Sequence, residues 1–323
     1  MESLSGRMQK CCRESKLSRL LILIVLEQWM GQRAVLSLGM FVELQREPLV
    51  QEASLLVSLQ QSPGGSGNTA SGELSTVGGG DANTASGTWS TVGGGYENTA
   101  SGEMSTVSGG NVNFAPSDYS TVGGGVGNNS SAAYSTVSGG GNNEANGVHS
   151  TVGGGTSNLA NDYITTVSGG LNNTANDSGS FVGGGQDNVA MNSFGTIGGG
   201  RSNATASSYS TVGGGQNNSA SDDYAFVGGG QNNTAEATGA SIVGGDSNQV
   251  WSSHAFIGGG QKNYANASGA VIVGGANNIA FGINSTVGGG SFNKVRGDYS
   301  LIAGGGGILH PTRTALMQFL TIA

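Results

Sequence analysis

The chain has 323 residues, of which 62 are glycine and only 10% are charged, against a usual ~7% glycine and ~25% charge in globular domains. That excludes an ordinary globular composition and charge-driven disorder, which needs high net charge. Four prolines and the lack of a Gly-X-Y period exclude collagen. The formal net charge of −8, with no basic stripe beyond the N-terminal segment, excludes a nucleic-acid footprint.

Residues 1–65 differ from everything that follows. They hold seven of the twelve basic residues. Arg7, Lys10, Arg13, Lys16 and Arg19 precede an apolar run from Leu20 to Leu26 that Glu27 stops. A charged start and apolar centre read as a short export signal. An amphipathic helix capping the first coil is the competing reading, and a start codon upstream of the real one is a third. The run is too short to span a bilayer, which needs ~20 apolar residues. The only cysteines, Cys11 and Cys12, are adjacent, so no disulfide framework or zinc spacing exists. Ser62, Pro63 and Gly64 mark a break.

From Ser66 to Gly305 a 15-residue unit repeats sixteen times without insertion or deletion. Position 3 is always Asn: Asn68, Asn83, Asn98, Asn113, Asn128, Asn143, Asn158, Asn173, Asn188, Asn203, Asn218, Asn233, Asn248, Asn263, Asn278 and Asn293. Position 5 is nearly always Ala, position 10 is small, position 12 is Val or Ile, and positions 14 and 15 are Gly-Gly. A unit this short cannot hold a helix pair or a propeller blade. It fits one coil of two short strands and two turns. The all-β expectation is therefore a parallel β-roll, or β-solenoid, of sixteen coils. Positions 10 and 12 share the inner face of a strand and position 11 points outward. The paired glycines supply positive φ and close approach between coils. The other turn, near position 7, holds Gly72, Gly87, Asp162, Asp177, Asn192 and Asp222, types that tolerate left-handed backbone. Stacked at a strand spacing of about 4.8 Å, sixteen coils make a rod about 75 Å long. Such a coil is too thin to fold alone and depends on its neighbours. Residues 306–323 leave the repeat as a tail or cap, too short for a membrane anchor domain, so no membrane insertion by this chain is expected.

The spacing of Asn83, Ala85, Gly87 and Ser90, repeated in Asn98, Ala100, Gly102 and Ser105, resembles the head repeats of trimeric autotransporter adhesins, the YadA-like head family. The unit here is one residue longer than the commonest one of that family, and Asn stands where the family often has Ser. The resemblance covers about three quarters of the chain. It implies a left-handed roll, a homotrimer, an extracellular or cell-surface (bacterial outer surface) location and adhesion to a host or matrix protein or glycan.

Several columns are candidates for chemistry. Asn can give two donors and an acceptor, so the position-3 column reads either as a row of presented amides or as a buried ladder satisfying turn backbone. Position 11 is Thr from Thr76 to Thr166, then gives way to Phe181, Phe226 and Phe256. The Thr row reads as stacked strand surface or as a water-ordering face of a monomeric ice-binding solenoid. The outward Phe residues read as a subunit contact. Position 9 carries Trp89, Tyr119, Tyr134, Phe194, Tyr209, Tyr224 and Tyr299, a contact platform or strand-surface stacking. No His or acid pair stands at catalytic spacing, no Gly-Lys-Ser/Thr follows the glycines, and the Asp pattern of calcium rolls is missing from most units. A non-enzymatic protein with no cofactor or metal is the expectation.

Overall fold

The computed structural model describes residues 40–41, 60–61 and 64–306. The signal-like run at Leu20–Leu26 and the tail beyond residue 306 lie outside the described residues. No helix is present among those described.

Residues 66–305 form a parallel β-solenoid of sixteen 15-residue coils. Each coil contributes a two-residue strand at positions 4–5, such as Thr84–Ala85, and another at positions 11–12, such as Thr91–Val92. The first set makes a sheet of 16 strands. The register is in step throughout: Thr151 pairs with Thr166 and Val152 with Val167, one coil away. A third row of parallel bridges links position 1 of every coil to the next, from Ser66 and Asp81 onward. Upstream of the repeat, Gln60–Gln61 adds to the position-11/12 sheet, with Gln61 opposite Thr76. Met40–Phe41 pairs antiparallel to it. The sheet thus begins one rung before the repeat does.

The interior is a file of small residues. Val or Ile at position 12, Ala at position 5 and Asn at position 3 are buried in coil after coil. Position 10 is buried as well, which leaves position 11 half-covered between two buried neighbours and pointing outward, as alternation requires. Where one column changes size, its neighbour compensates. Thr205 replaces the usual Ala at position 5, and position 10 of the preceding coil is Gly195. A Cβ on Gly195 would stand 2.6 Å from the Thr205 hydroxyl.

Backbone polarity explains the turns. Most amides donate forward to the next coil, as Thr84 N does to Asn98 O at 2.8 Å. At positions 2 and 9 the direction reverses. Glu97 N donates back to Asp81 O at 3.0 Å, and Trp89 N back to Glu73 O at 2.8 Å. Left-handed backbone achieves this reversal, with φ of 51° at Glu97 and 56° at Trp89. The expectation that position 7 supplies the left-handed residue is therefore corrected. Gly72 and Gly87 have no positive φ. Their missing Cβ matters for another reason: one on Gly72 would collide with the carbonyl of Gly87 in the next coil. At position 15, both conditions hold at once. Gly155 has φ +83°, and a Cβ there would strike the Gly170 carbonyl.

Candidate functional site

The Asn column lies inside the rod. Asn98 shows the pattern. Its Oδ1 accepts the backbone N–H of Asn113 and one Nδ2 proton of Asn113, both at 3.0 Å. Its own Nδ2 donates to Gly94 O at 3.0 Å and Gly110 O at 2.8 Å. One side chain thus reaches two glycine carbonyls and the next coil's amide, and Gly110 O also accepts the Tyr96 N–H at 2.9 Å. Ser is too short and has one proton; Asp has none to give. The two donations to glycine carbonyls recur at Asn158, Asn188 and Asn278. From Asn83 to Asn293 these side chains are buried, so they are the spine of the stack and present nothing to a ligand.

The outside divides into two unlike sides. Positions 1–8 carry all eighteen charged residues of the repeat, fourteen acidic and four basic. Positions 9–15 carry none in any coil. At positions 10, 12, 14 and 15 burial or glycine geometry forbids charge. Positions 9 and 11 are open to solvent, fully or in part, and could bear it. Instead position 11 is a straight file of half-buried Thr side chains, from Thr91 opposite Thr106 to Thr151 opposite Thr166. Phe181 and Phe226 interrupt it at 36% and 38% exposure, with Phe256 half-buried. Each ring reaches over the glycine two residues on: Phe181 Cε1 is 3.4 Å from where a Cβ of Gly183 would stand, and the pattern repeats at Gly228 and Gly258. The result is an uncharged wall of Thr, Gly and Phe, with Ser241, Val271 and Leu301 completing the file near the far end.

Position 9 lies on the edge of this wall, in the turn, and not on a strand surface as one sequence reading has it. Its residues are exposed and left-handed. Tyr119 and Tyr134 stack at 4.7 Å with an interplanar angle of 5°, and His149 continues the stack at 4.8 Å from Tyr134. Phe194, Tyr209 and Tyr224 form a second stack at 5.2 Å spacing. Trp89 is exposed two rungs before the first stack. Left-handed backbone disfavours bulky side chains by about 1–2 kcal/mol per residue; ring stacking offsets ~0.5–1.5 kcal/mol of that. Within each stack neighbouring ring faces cover one another, and Tyr224, at the end of the second, is 62% exposed.

The perturbed titratable groups are on the charged side. A hydrogen bond from Gln261 Nε2 at 3.0 Å, and one from Ser247 Oγ at 2.8 Å, hold the Asp246 carboxyl below its ordinary range. The Glu97 carboxylate, through a hydrogen bond and its charge, pushes the Tyr96 phenol up. Among the described residues no group of three His, Cys, Asp or Glu side chains converges to hold a metal ion, and no helix is long and apolar enough to cross a membrane.

Sequence reasoning found the Asn column, the inner Val column and the outward Phe residues. It missed the partition of charge, although tabulating Asp, Glu, Lys and Arg against the 15-residue frame displays it. It also missed a strip at positions 4 and 6 of the last coils, where Trp251, Tyr264 and Phe281 meet edge to face. Comparison with protein-family models gives no match to this chain, and comparison with curated proteins gives none either.

Proposed function

We propose that the chain is a non-enzymatic structural and adhesion protein of the cell surface, a stiff rod that assembles as a homotrimer through its uncharged wall. The observation that carries this is the partition of charge. The interior of protein–protein contacts is depleted of charged residues, and the wall has none along sixteen coils. The remaining surface has a net charge of −10 from residues 66–305. Two copies brought together through the turn at positions 7 and 8, where every charged residue is acidic, would set acid against acid. A wall about 75 Å by 10 Å offers on the order of 750 Å² per copy, which in a trimer is divided between two neighbours, about half the ~800 Å² per partner of a standard two-body contact for each. Three copies around a common axis would cover the walls and turn positions 1–8 outward. The resemblance of the repeat to YadA-like heads supports both the trimer and an adhesive role at a bacterial outer surface.

Beads coated with the purified full chain should be retained on immobilised extracellular matrix or on cultured host cells. Retention no greater than that of albumin-coated beads would remove the adhesive part of the reading. The Thr file from Thr76 to Thr166 favours a second reading, a monomeric water-ordering face. That reading needs the wall free, and growth inhibition of ice crystals by a monomeric chain would favour it over the trimer.

A further inference from the structure

Positions 4 and 6 point outward from the other sheet. In the first three coils they hold only Thr and Ser, as in Thr84 and Ser86. Near the far end the same positions hold Trp251, Tyr264, Phe281, Lys294 and Arg296, in four successive coils. The rings zigzag along the rod. Trp251 and Tyr264 have centroids 5.8 Å apart at 73°, and Tyr264 and Phe281 6.0 Å apart at 81°. Lys294 Nζ stands 5.1 Å from the Phe281 centroid. Trp251 is 50% exposed and Phe281 38%, and Lys294 and Arg296 are exposed too.

The contrast with position 9 decides what this strip can do. There the rings are parallel and cover one another's faces. Here the rings meet edge to face, so an edge covers only part of the neighbouring face, and Lys294 Nζ stands over the Phe281 ring at the strip's end. We infer that the strip Trp251–Tyr264–Phe281, with Lys294 and Arg296 at its end, binds an acidic oligosaccharide. The apolar faces of successive sugar rings lie on the aromatic faces, and a carboxylate or sulfate on the sugar meets the two cations in charge-assisted hydrogen bonds. Three coil spacings make the strip about 15 Å long, enough for a short run of sugars on a flat sheet. Charge gives the ligand its place. Two of the four basic residues of the repeat stand here, on a rod with fourteen acids, so an anion is repelled along most of the surface and attracted at this end. Nucleic acid would need many more phosphate contacts than two cations supply.

The inference extends the adhesive reading by naming a ligand class, and it does not depend on assembly through the opposite wall. Calorimetric titration of the full chain with a heparin octasaccharide, an oligogalacturonate octamer and neutral maltoheptaose tests it and separates sulfate from carboxylate. At least one acidic oligosaccharide should bind, and maltoheptaose should bind at least about tenfold more weakly. Trp251→Ala and Phe281→Ala should each weaken binding about tenfold with the β-sheet spectrum unchanged. The pair Lys294→Gln with Arg296→Gln should weaken it comparably and flatten its salt dependence. Three outcomes overturn the inference: neither acidic oligosaccharide binds, the variants bind like the parent, or binding appears only after residues 308–323 are removed, which would make the strip a seat for the chain's own end. A rod that assembles normally yet ignores both acidic oligosaccharides sinks this inference and leaves self-association standing.

Discussion

The side of the rod built from positions 9–13 and the side built from positions 1–8 share one backbone repeat, one hydrogen-bond scheme and one core. They differ in the residues they carry. Thr166 opposite Phe181 on the first side and Thr174 opposite Val189 on the second are structurally equivalent pairs, each with a buried partner beside it. Yet Glu144, Lys294 and Arg296 occur at outward positions of the second sheet and no charge occurs at position 11 of the first. Folding alone does not demand the difference, because an outward side chain on either sheet could be solvated. The proposed contact surface would demand it, because a charge buried there without a partner is expensive.

The largest expected effect tests the part the two sides share. Val152→Asp puts an unpaired carboxylate in a file of residues with no solvent exposure. It should destabilise the rod by more than about 4 kcal/mol, read as a large fall in melting temperature. The next tests the spine. Asn173→Ala leaves Gly169 O and Gly185 O without their side-chain donor and the Asn188 amide without its acceptor. Gly185 O keeps the Leu171 N–H at 2.9 Å, so two groups are left unsatisfied; at about 1–3 kcal/mol each, less whatever water recovers, a loss of about 2–3 kcal/mol is expected in denaturant titration. A loss below about 0.5 kcal/mol would mean that backbone bonds alone hold the coils in register.

Two smaller effects sharpen the contrast between the sides. Ile164 is β-branched and left-handed, with φ 51°, at the edge of the wall. Ile164→Asn should raise stability by about 1 kcal/mol, because Asn tolerates that backbone. If the rod gains stability but assembly weakens, position 9 belongs to the contact. On the charged side, the depressed Asp246 carboxyl contributes stability above its unfolded value that is lost as pH falls through its lower folded value. Asp246→Asn should therefore melt slightly below the parent at neutral pH, and the gap should close as pH falls from about 4 towards 2. A gap that persists at the acid end would rule out linkage through this group.

Much of the coil was legible in the residues because invariance in a 15-residue frame maps directly onto geometry. Val or Ile at position 12 could only be an inner strand position, and Gly-Gly at 14 and 15 could only be a turn. The Asn column was visible with two readings, and burial with bonds to glycine carbonyls decides for the ladder. What stayed hidden was the route of the second turn. Gly72 and Asp162 suggested left-handed backbone at position 7, whereas Trp89, Tyr134 and Ile164 adopt it at position 9. Residue preference misled because the direction of one backbone amide, back toward the preceding coil, outweighed it. The edge-to-face strip was equally hidden: Trp251, Tyr264 and Phe281 are 13 and 17 residues apart, and only the coil spacing brings their rings together.

The most direct test of the wall is the mass of the full chain in solution, by sedimentation equilibrium at micromolar concentration, for the parent and two single variants. Thr151→Asp places a charge on the wall, and Thr174→Asp places the same charge at the equivalent outward position of the other sheet. The expected result is a trimer for the parent and for Thr174→Asp, and dissociation for Thr151→Asp with its β-sheet spectrum retained. A parent that is monomeric with full β-sheet signal, or two variants that dissociate alike, would contradict the assignment of the uncharged wall as the surface where copies meet.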